Sequence, residues 1–168
     1  MKNIFLIGFM GCGKSSVAEK LKELTGMEIC EMDQMIVQKA KMEIPKIFKQ
    51  YGEVCFRDLE SEILEQICLQ ENKIVSCGGG IVLRQKNVDL MKENGNVVWL
   101  TAKPEEVLRR VLNDTNRPIL QGKKSIEDIS RLMKERHSKY EDAADCVIVT
   151  DERNIHEICK EILRKEMR

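Results

Sequence analysis

Gly8-Phe9-Met10-Gly11-Cys12-Gly13-Lys14-Ser15 is the stretch that decides the fold. It fits the pattern G-x-x-x-x-G-K-[ST], in which a glycine-rich turn wraps its backbone N–H groups around phosphate oxygens. Glycines are needed because the turn visits dihedrals that side chains resist. The helix expected to follow would aim the positive end of its dipole at the same anion. Lys14 would reach the β- and γ-phosphates of a nucleotide, and the Ser15 hydroxyl would ligate Mg²⁺. A glycine-rich turn with no ligand is the plainer alternative. The flanks argue against it: apolar Ile4–Ile7 reads as a strand before the motif, and Val17, Ala18, Leu21 and Leu24 follow helical spacing after it.

The same alternation continues outward. Glu28–Met32, Lys73–Ser76, Asn96–Leu100 and Asp145–Val149 read as further short, buried strands. Helical spacing recurs at Phe56, Leu59, Ile63 and Ile67, and again at Ile155, Ile158, Ile162 and Leu163. Alternating strands and helices predict an α/β fold, a parallel sheet with helices on both faces. No repeat or linker divides the chain, so residues 1–168 are expected as one domain. The polar stretch Asn113–Lys124, with Pro118, Gly122 and the lone Arg117, is a candidate mobile lid between two helical patterns.

Composition narrows the partners. Over 168 residues, 28 Lys and Arg balance 28 Asp and Glu. Without a bulk positive field, neither a nucleic-acid backbone nor an anionic membrane is an expected partner. The seven cysteines, at 12, 30, 55, 68, 77, 146 and 159, form no C-x-x-C pair. Their odd number and wide spacing suggest reduced thiols and a cytoplasmic location. The apolar run Ile4–Met10 is too short for a signal sequence and is broken by Gly8.

Further features gather around the phosphate loop. Glu31-Met32-Asp33 closes the second strand, which would bring both carboxylates to the carboxyl edge of the sheet beside the loop. Two residues apart, they are expected to project to the same side; a helix cap and a solvated acid would explain them as well. Ser76-Cys77-Gly78-Gly79-Gly80 ends the third strand, where glycines either admit a ligand close to the backbone or simply make a turn. Ile126, Ile129, Leu132 and Met133 define an apolar helix face whose next position is Arg136. A guanidinium there must meet an anion or bend its head out to water. Arg57 lies one helical turn from Glu60, so an ion pair within the helix is its simple explanation. Cys12 sits where a helix N-terminus could lower its pKa and make it prone to oxidation, or is merely a small side chain in a permissive loop.

Taken together these positions resemble the shikimate kinase family over essentially the whole chain. The resemblance rests on Gly8–Ser16, Glu31-Met32-Asp33, Phe56-Arg57 with Glu60, Gly78-Gly79-Gly80, Asn116-Arg117-Pro118, Arg136 and Arg153, in order and spacing. It implies a three-layer kinase fold of the nucleoside-monophosphate-kinase type, with a five-stranded parallel sheet and a lid at about residues 113–124. It also implies transfer of the γ-phosphoryl group of ATP, with Mg²⁺, to the 3-hydroxyl of shikimate, in the route to aromatic amino acids.

By that resemblance Gly11, Cys12, Gly13, Lys14, Ser15 and Ser16 hold the nucleotide phosphates, while Arg110 and Arg153 border the adenine. Arg117 swings over the phosphates and, with Lys14 and Asp33, completes the catalytic set. Asp33 orients or deprotonates the attacking hydroxyl. Arg57 and Arg136 grip the substrate carboxylate, with Glu60 beside them, and Gly78, Gly79 and Gly80 offer backbone N–H groups to the ring hydroxyls. Ser15 and Glu31 attend the metal. The family commonly has Asp where this chain has Glu31, whose longer stem favours bonding to a metal-bound water. Shikimate is the small-molecule partner, and a monomer is expected.

Other readings make separable demands. A small-molecule kinase acting on gluconate or a nucleoside monophosphate would share the loop, and gluconate would also explain a carboxylate-binding arginine, but Arg57 and Arg136 together with the triple glycine fit shikimate better. A GTPase-type switch calls for N-K-x-D; Asn72-Lys73-Ile74-Val75 comes closest and lacks the Asp. A non-catalytic nucleotide-binding module would show no ATP turnover dependent on an acceptor.

Overall fold

The computed structural model describes residues 2–112 and 125–166. The candidate lid, 113–124, and with it Arg117, lies outside them. Among the described residues a five-stranded sheet runs in the order β2-β3-β1-β4-β5. Its strands are β1 (Asn3–Ile7), β2 (Glu28–Glu31), β3 (Lys73–Ser76), β4 (Gly95–Thr101) and β5 (Cys146–Val149). Every neighbouring pair is parallel.

The five strands lie within a residue or two of their sequence-based positions, but β2 and β5, at the two edges of the sheet, are largely exposed or half-buried rather than buried as expected. β1 is the centre of the sheet and is buried throughout. Its alternation sends Ile4 and Leu6 into one apolar layer, Phe5 and Ile7 into the other. Asn3 opens the strand as a buried clamp: its side chain donates to Gln70 O at 2.9 Å and accepts from the Lys73 N–H at 2.9 Å, tying β1 to the start of β3.

Helices α1 (Lys14–Thr25), α5 (Pro104–Val111) and α7 (Ile155–Glu166) pack on the Leu6 face. On the Phe5 face lie α2 (Met32–Ala40), α3 (Ile44–Cys68) and α4 (Gln85–Asn94). The long α6 (Ile126–Ala143) serves both layers, with Ile129 in the first and Tyr140 and Ala143 in the second. It therefore crosses the carboxyl edge of the sheet, where the phosphate loop emerges.

Two expectations are corrected. The second strand ends at Glu31, not Met32, and Asp33 stands in the first turn of α2. Met32, fully buried in the apolar layer on the Phe5 face, is already the first residue of α2. Strand alternation thus does not carry from Glu31 to Asp33. The apolar stripe of α6 also differs at its start, since Ile126 is exposed while Ile129, Arg136, Tyr140 and Ala143 are buried.

Candidate active site

The phosphate loop fills the turn between β1 and α1. Gly13 caps α1 in the left-handed region (φ 88°), a conformation that a side chain would strain. The first turn of α1 carries no acid, so nothing there opposes the positive end of the helix dipole. Lys14 folds back along the loop, its Nζ donating to Gly8 O at 2.8 Å and Phe9 O at 3.1 Å. The ammonium is thus held over the same concavity as the N–H groups. Arg110 of α5 braces the rim from outside, donating to Gly11 O at 2.8 Å and to Glu106 at 3.0 Å. Arg153 follows β5 and is held by Val149 O at 3.2 Å and Glu161 of α7 at 2.8 Å.

Ser15 Oγ lies 3.5 Å from Ser76 Oγ at the end of β3. Ser15, Ser16, Glu31 and Gln34 line one open cleft. A hydroxyl and a carboxylate facing one cleft are the hard oxygen donors that suit Mg²⁺. Asp33 faces elsewhere, its Oδ1 lying 3.3 Å from the point a Cβ on Gly78 would occupy. The two acids thus divide between the Ser15 cleft and the glycine segment.

Beyond the loop three charged side chains are buried together: Arg57 (6% exposed), Glu60 (1%) and Arg136 (7%). Arg57 Nη1 donates to Glu60 Oε2 at 2.8 Å, so the pair within the helix exists, but it lies in the interior rather than on a solvated face. Arg136 does not bend out to water; its guanidinium lies over the Phe9 ring, 5.7 Å from the centroid. Burial raises the Glu60 carboxyl above its usual range, and nearby Asp33 adds to this, while Arg57 and Arg136 pull it down. Glu60 therefore feels all three charged partners in one pocket.

Arg57 Nε, Glu60 Oε1 and Arg136 Nη1 are buried with no hydrogen-bond partner among the described residues. An orphaned buried polar atom costs about 1–3 kcal/mol, more when charged. Two orphaned donors and one orphaned acceptor around the same glycines are complementary to a ligand that brings an anion and a hydroxyl.

The glycine segment has a role the sequence did not reveal. A Cβ on Gly80 would fall within 2.5 Å of the Arg57 guanidinium, and one on Gly78 would be 2.6 Å from Glu60 Oε1. Gly78 and Gly80 are thus the space into which the buried pair fits. At Gly79 the nearest atoms are 3.5 Å or more away, Met10 N and Arg136 Nη1 among them.

Cys12 is corrected. Its thiol is buried, and burial raises its pKa by more than Lys14 and Arg110 lower it. Tyr140 was missed: it lies one turn beyond Arg136 on the same buried face, and its hydroxyl donates to Gly79 O. The signal was present, because an apolar stripe containing Arg136 continues through i+4 to a residue with a polar tip.

A family model described as shikimate kinase matches residues 10–166. A shikimate kinase of Dehalococcoides mccartyi is 42% identical over 160 residues, covering 95% of this chain and 90% of that one. A shikimate kinase of a Sulfurihydrogenibium species is 44% identical over 165 residues, covering 98% of each. Among solved structures, shikimate kinase from Acinetobacter baumannii in complex with shikimate superposes with a TM-score of 0.93 at 34% identity, covering 98% of this chain and 92% of that one.

Proposed function

The chain belongs to the shikimate kinase family, and from that premise we propose how its residues divide the work. The reaction is transfer of the γ-phosphoryl group of ATP to the 3-hydroxyl of shikimate, in the route to aromatic amino acids. Phosphoryl transfer asks little covalent chemistry of a protein and much positioning and charge stabilisation. The side chains and backbone gathered at the carboxyl edge of the sheet are suited to both.

The nucleotide phosphates lie in the loop, held by the N–H groups of Gly11 to Ser16 and by Lys14. Arg110 and Arg153 border the base. Shikimate lies against Gly78–Gly80 with its carboxylate between Arg57 and Arg136. The observation that carries this reading is the set of orphaned atoms: Arg57 Nε and Arg136 Nη1 can donate to an anion, and Glu60 Oε1 can accept from a hydroxyl. Asp33 holds the attacking hydroxyl and accepts its proton. Arg117 steadies the charge that develops on the transferring group.

Ser15 and Glu31 would hold Mg²⁺, the hydroxyl directly and Glu31 through a metal-bound water. When bound, the ion neutralises charge on the β- and γ-phosphate oxygens. Among the described residues no helix is long and apolar enough to cross a membrane. The seven thiols are free, which supports a cytoplasmic enzyme, and we take it as a monomer.

The test is ADP release in the presence of MgATP and a panel of shikimate, gluconate and nucleoside monophosphates. Shikimate alone should stimulate turnover. Stimulation by another acceptor with none from shikimate contradicts the reading.

A further inference from the structure

Residues 78–80 are three consecutive glycines, a backbone with no side chains of its own to hold it in place. It is nonetheless fixed. The Cys77 N–H donates to Leu6 O at 3.1 Å, Ile81 N–H to Gly78 O at 3.1 Å, and Leu83 N–H to Gly80 O at 3.0 Å. These bonds secure the ends of the segment. Its middle carbonyl, Gly79 O, accepts from the hydroxyl of Tyr140, which reaches it from α6.

Tyr140 is itself rigidly placed. Its ring is buried and stacks on Trp99 of β4, with centroids 5.6 Å apart and planes inclined by 23°. Burial raises the Tyr140 pKa, outweighing Arg136, which lies one helical turn before it on the same face of α6 and favours the phenolate by its charge and by a side-chain hydrogen bond. Across the gap, Arg136 Nη1 lies 3.7 Å from the point a Cβ on Gly79 would occupy. The peptide bonds are trans, so anchoring the Gly79 carbonyl to α6 also turns the Gly80 N–H away from α6.

We propose that Tyr140 is a positioning residue for the acceptor site: its hydroxyl, bonded to Gly79 O and adjoining Arg136, keeps the glycine segment and Arg136 in register, fixing the part of the pocket that receives the substrate carboxylate. The proposal rests on shikimate being the acceptor. Tyr140 touches no reacting atom and acts through Gly79 and Arg136. The hydroxyl, not the ring, carries the role, since the ring's packing against Trp99 survives its removal.

The test compares Tyr140→Phe with wild type in steady-state kinetics, varying shikimate and ATP separately, alongside thermal unfolding. Loss of the buried hydroxyl should raise KM for shikimate about three- to tenfold, with kcat and KM for ATP within about twofold. Trp99→Phe trims the stack and leaves the hydroxyl; it should lower the thermal midpoint and leave KM for shikimate near wild type. The proposal is overturned if Tyr140→Phe leaves KM for shikimate unchanged or raises both KM values alike. It is equally overturned if Trp99→Phe reproduces the shikimate effect, or if Tyr140→Phe is too unstable to assay, since either outcome makes the role structural. Wild-type protein inert toward shikimate would overturn it together with the acceptor assignment, and the wild-type arm alone identifies that case.

Discussion

Replacing Gly80 by alanine should damage acceptor binding through a residue that is distant in sequence. The backbone at Gly80 has φ −99° and ψ 9°, which alanine adopts without strain, so any effect comes from the methyl group. That methyl would fall within 2.5 Å of the Arg57 guanidinium. Carbon and nitrogen need roughly 3.5 Å, so the guanidinium must retreat by about 1 Å. It has little freedom to do so, because it is buried and donates to Glu60 at 2.8 Å. Weakening this charge-assisted bond costs about 1.5–3 kcal/mol. The lower chain entropy of alanine in the unfolded state returns about 0.4–1 kcal/mol. A net loss of about 1–2 kcal/mol corresponds to a fall of about 3–6 °C in Tm for a chain of this size. Shifting Arg57 should raise KM for shikimate about tenfold, equivalent to about 1.4 kcal/mol, with KM for ATP unchanged. Gly79→Ala is the control, because its methyl would meet its neighbours at 3.5 Å or more and Tm should hold. A Gly80→Ala enzyme with wild-type Tm and KM refutes the reasoning. So does a Gly79→Ala variant as unstable as Gly80→Ala.

Other consequences follow from single residues. If Glu31 bonds a metal-bound water, Glu31→Asp should lower activity by less than about tenfold, whereas Glu31→Ala should raise the magnesium concentration needed for half-maximal rate; an unchanged magnesium titration removes Glu31 from the metal site. Buried Cys12, with its raised pKa, should resist alkylation by iodoacetamide near neutral pH, as read by mass spectrometry, and rapid labelling in the native protein would contradict this. Glu166 of α7 has a carboxyl raised by burial, and an Asn96 hydrogen bond only partly offsets it. A raised folded-state pKa means that stability falls as pH rises from the ordinary carboxylate value through the folded one. Glu166→Gln should therefore raise Tm at neutral pH and give no gain where the wild-type carboxyl is protonated; an equal gain at both pH values contradicts the assignment.

The geometry of the glycine-rich loop was legible because local sequence determines it. A glycine pattern between a strand and a helix has one geometry, and Lys14 and Ser15 follow from it. The strands were legible because most are short runs rich in apolar residues. The acceptor half was readable only as residue types and as a resemblance, since its geometry is made of contacts distant in sequence. Arg57 and Glu60 are i, i+3 neighbours, but their burial depends on Gly80 and Gly78 leaving room for them some twenty residues later. Whether Arg136 bent to water or stayed inside turned on the Phe9 ring that lies beneath it. The separate directions of Glu31 and Asp33 depended on where β2 stopped, and the buried Met32, first residue of α2, stands between them. Cys12 shows the same limit: local sequence left open a lowered pKa or a plain small side chain, and tertiary burial decides for the second.

The central claim is that a buried arginine on α6 recognises the carboxylate of the acceptor. Calorimetric titration of Arg136→Ala with shikimate, and separately with MgATP, tests it most directly. Truncating one partner of a buried charge pair should weaken shikimate binding by about 2–5 kcal/mol, while MgATP binds as it does to the wild type. Shikimate affinity equal to the wild-type value would contradict the account.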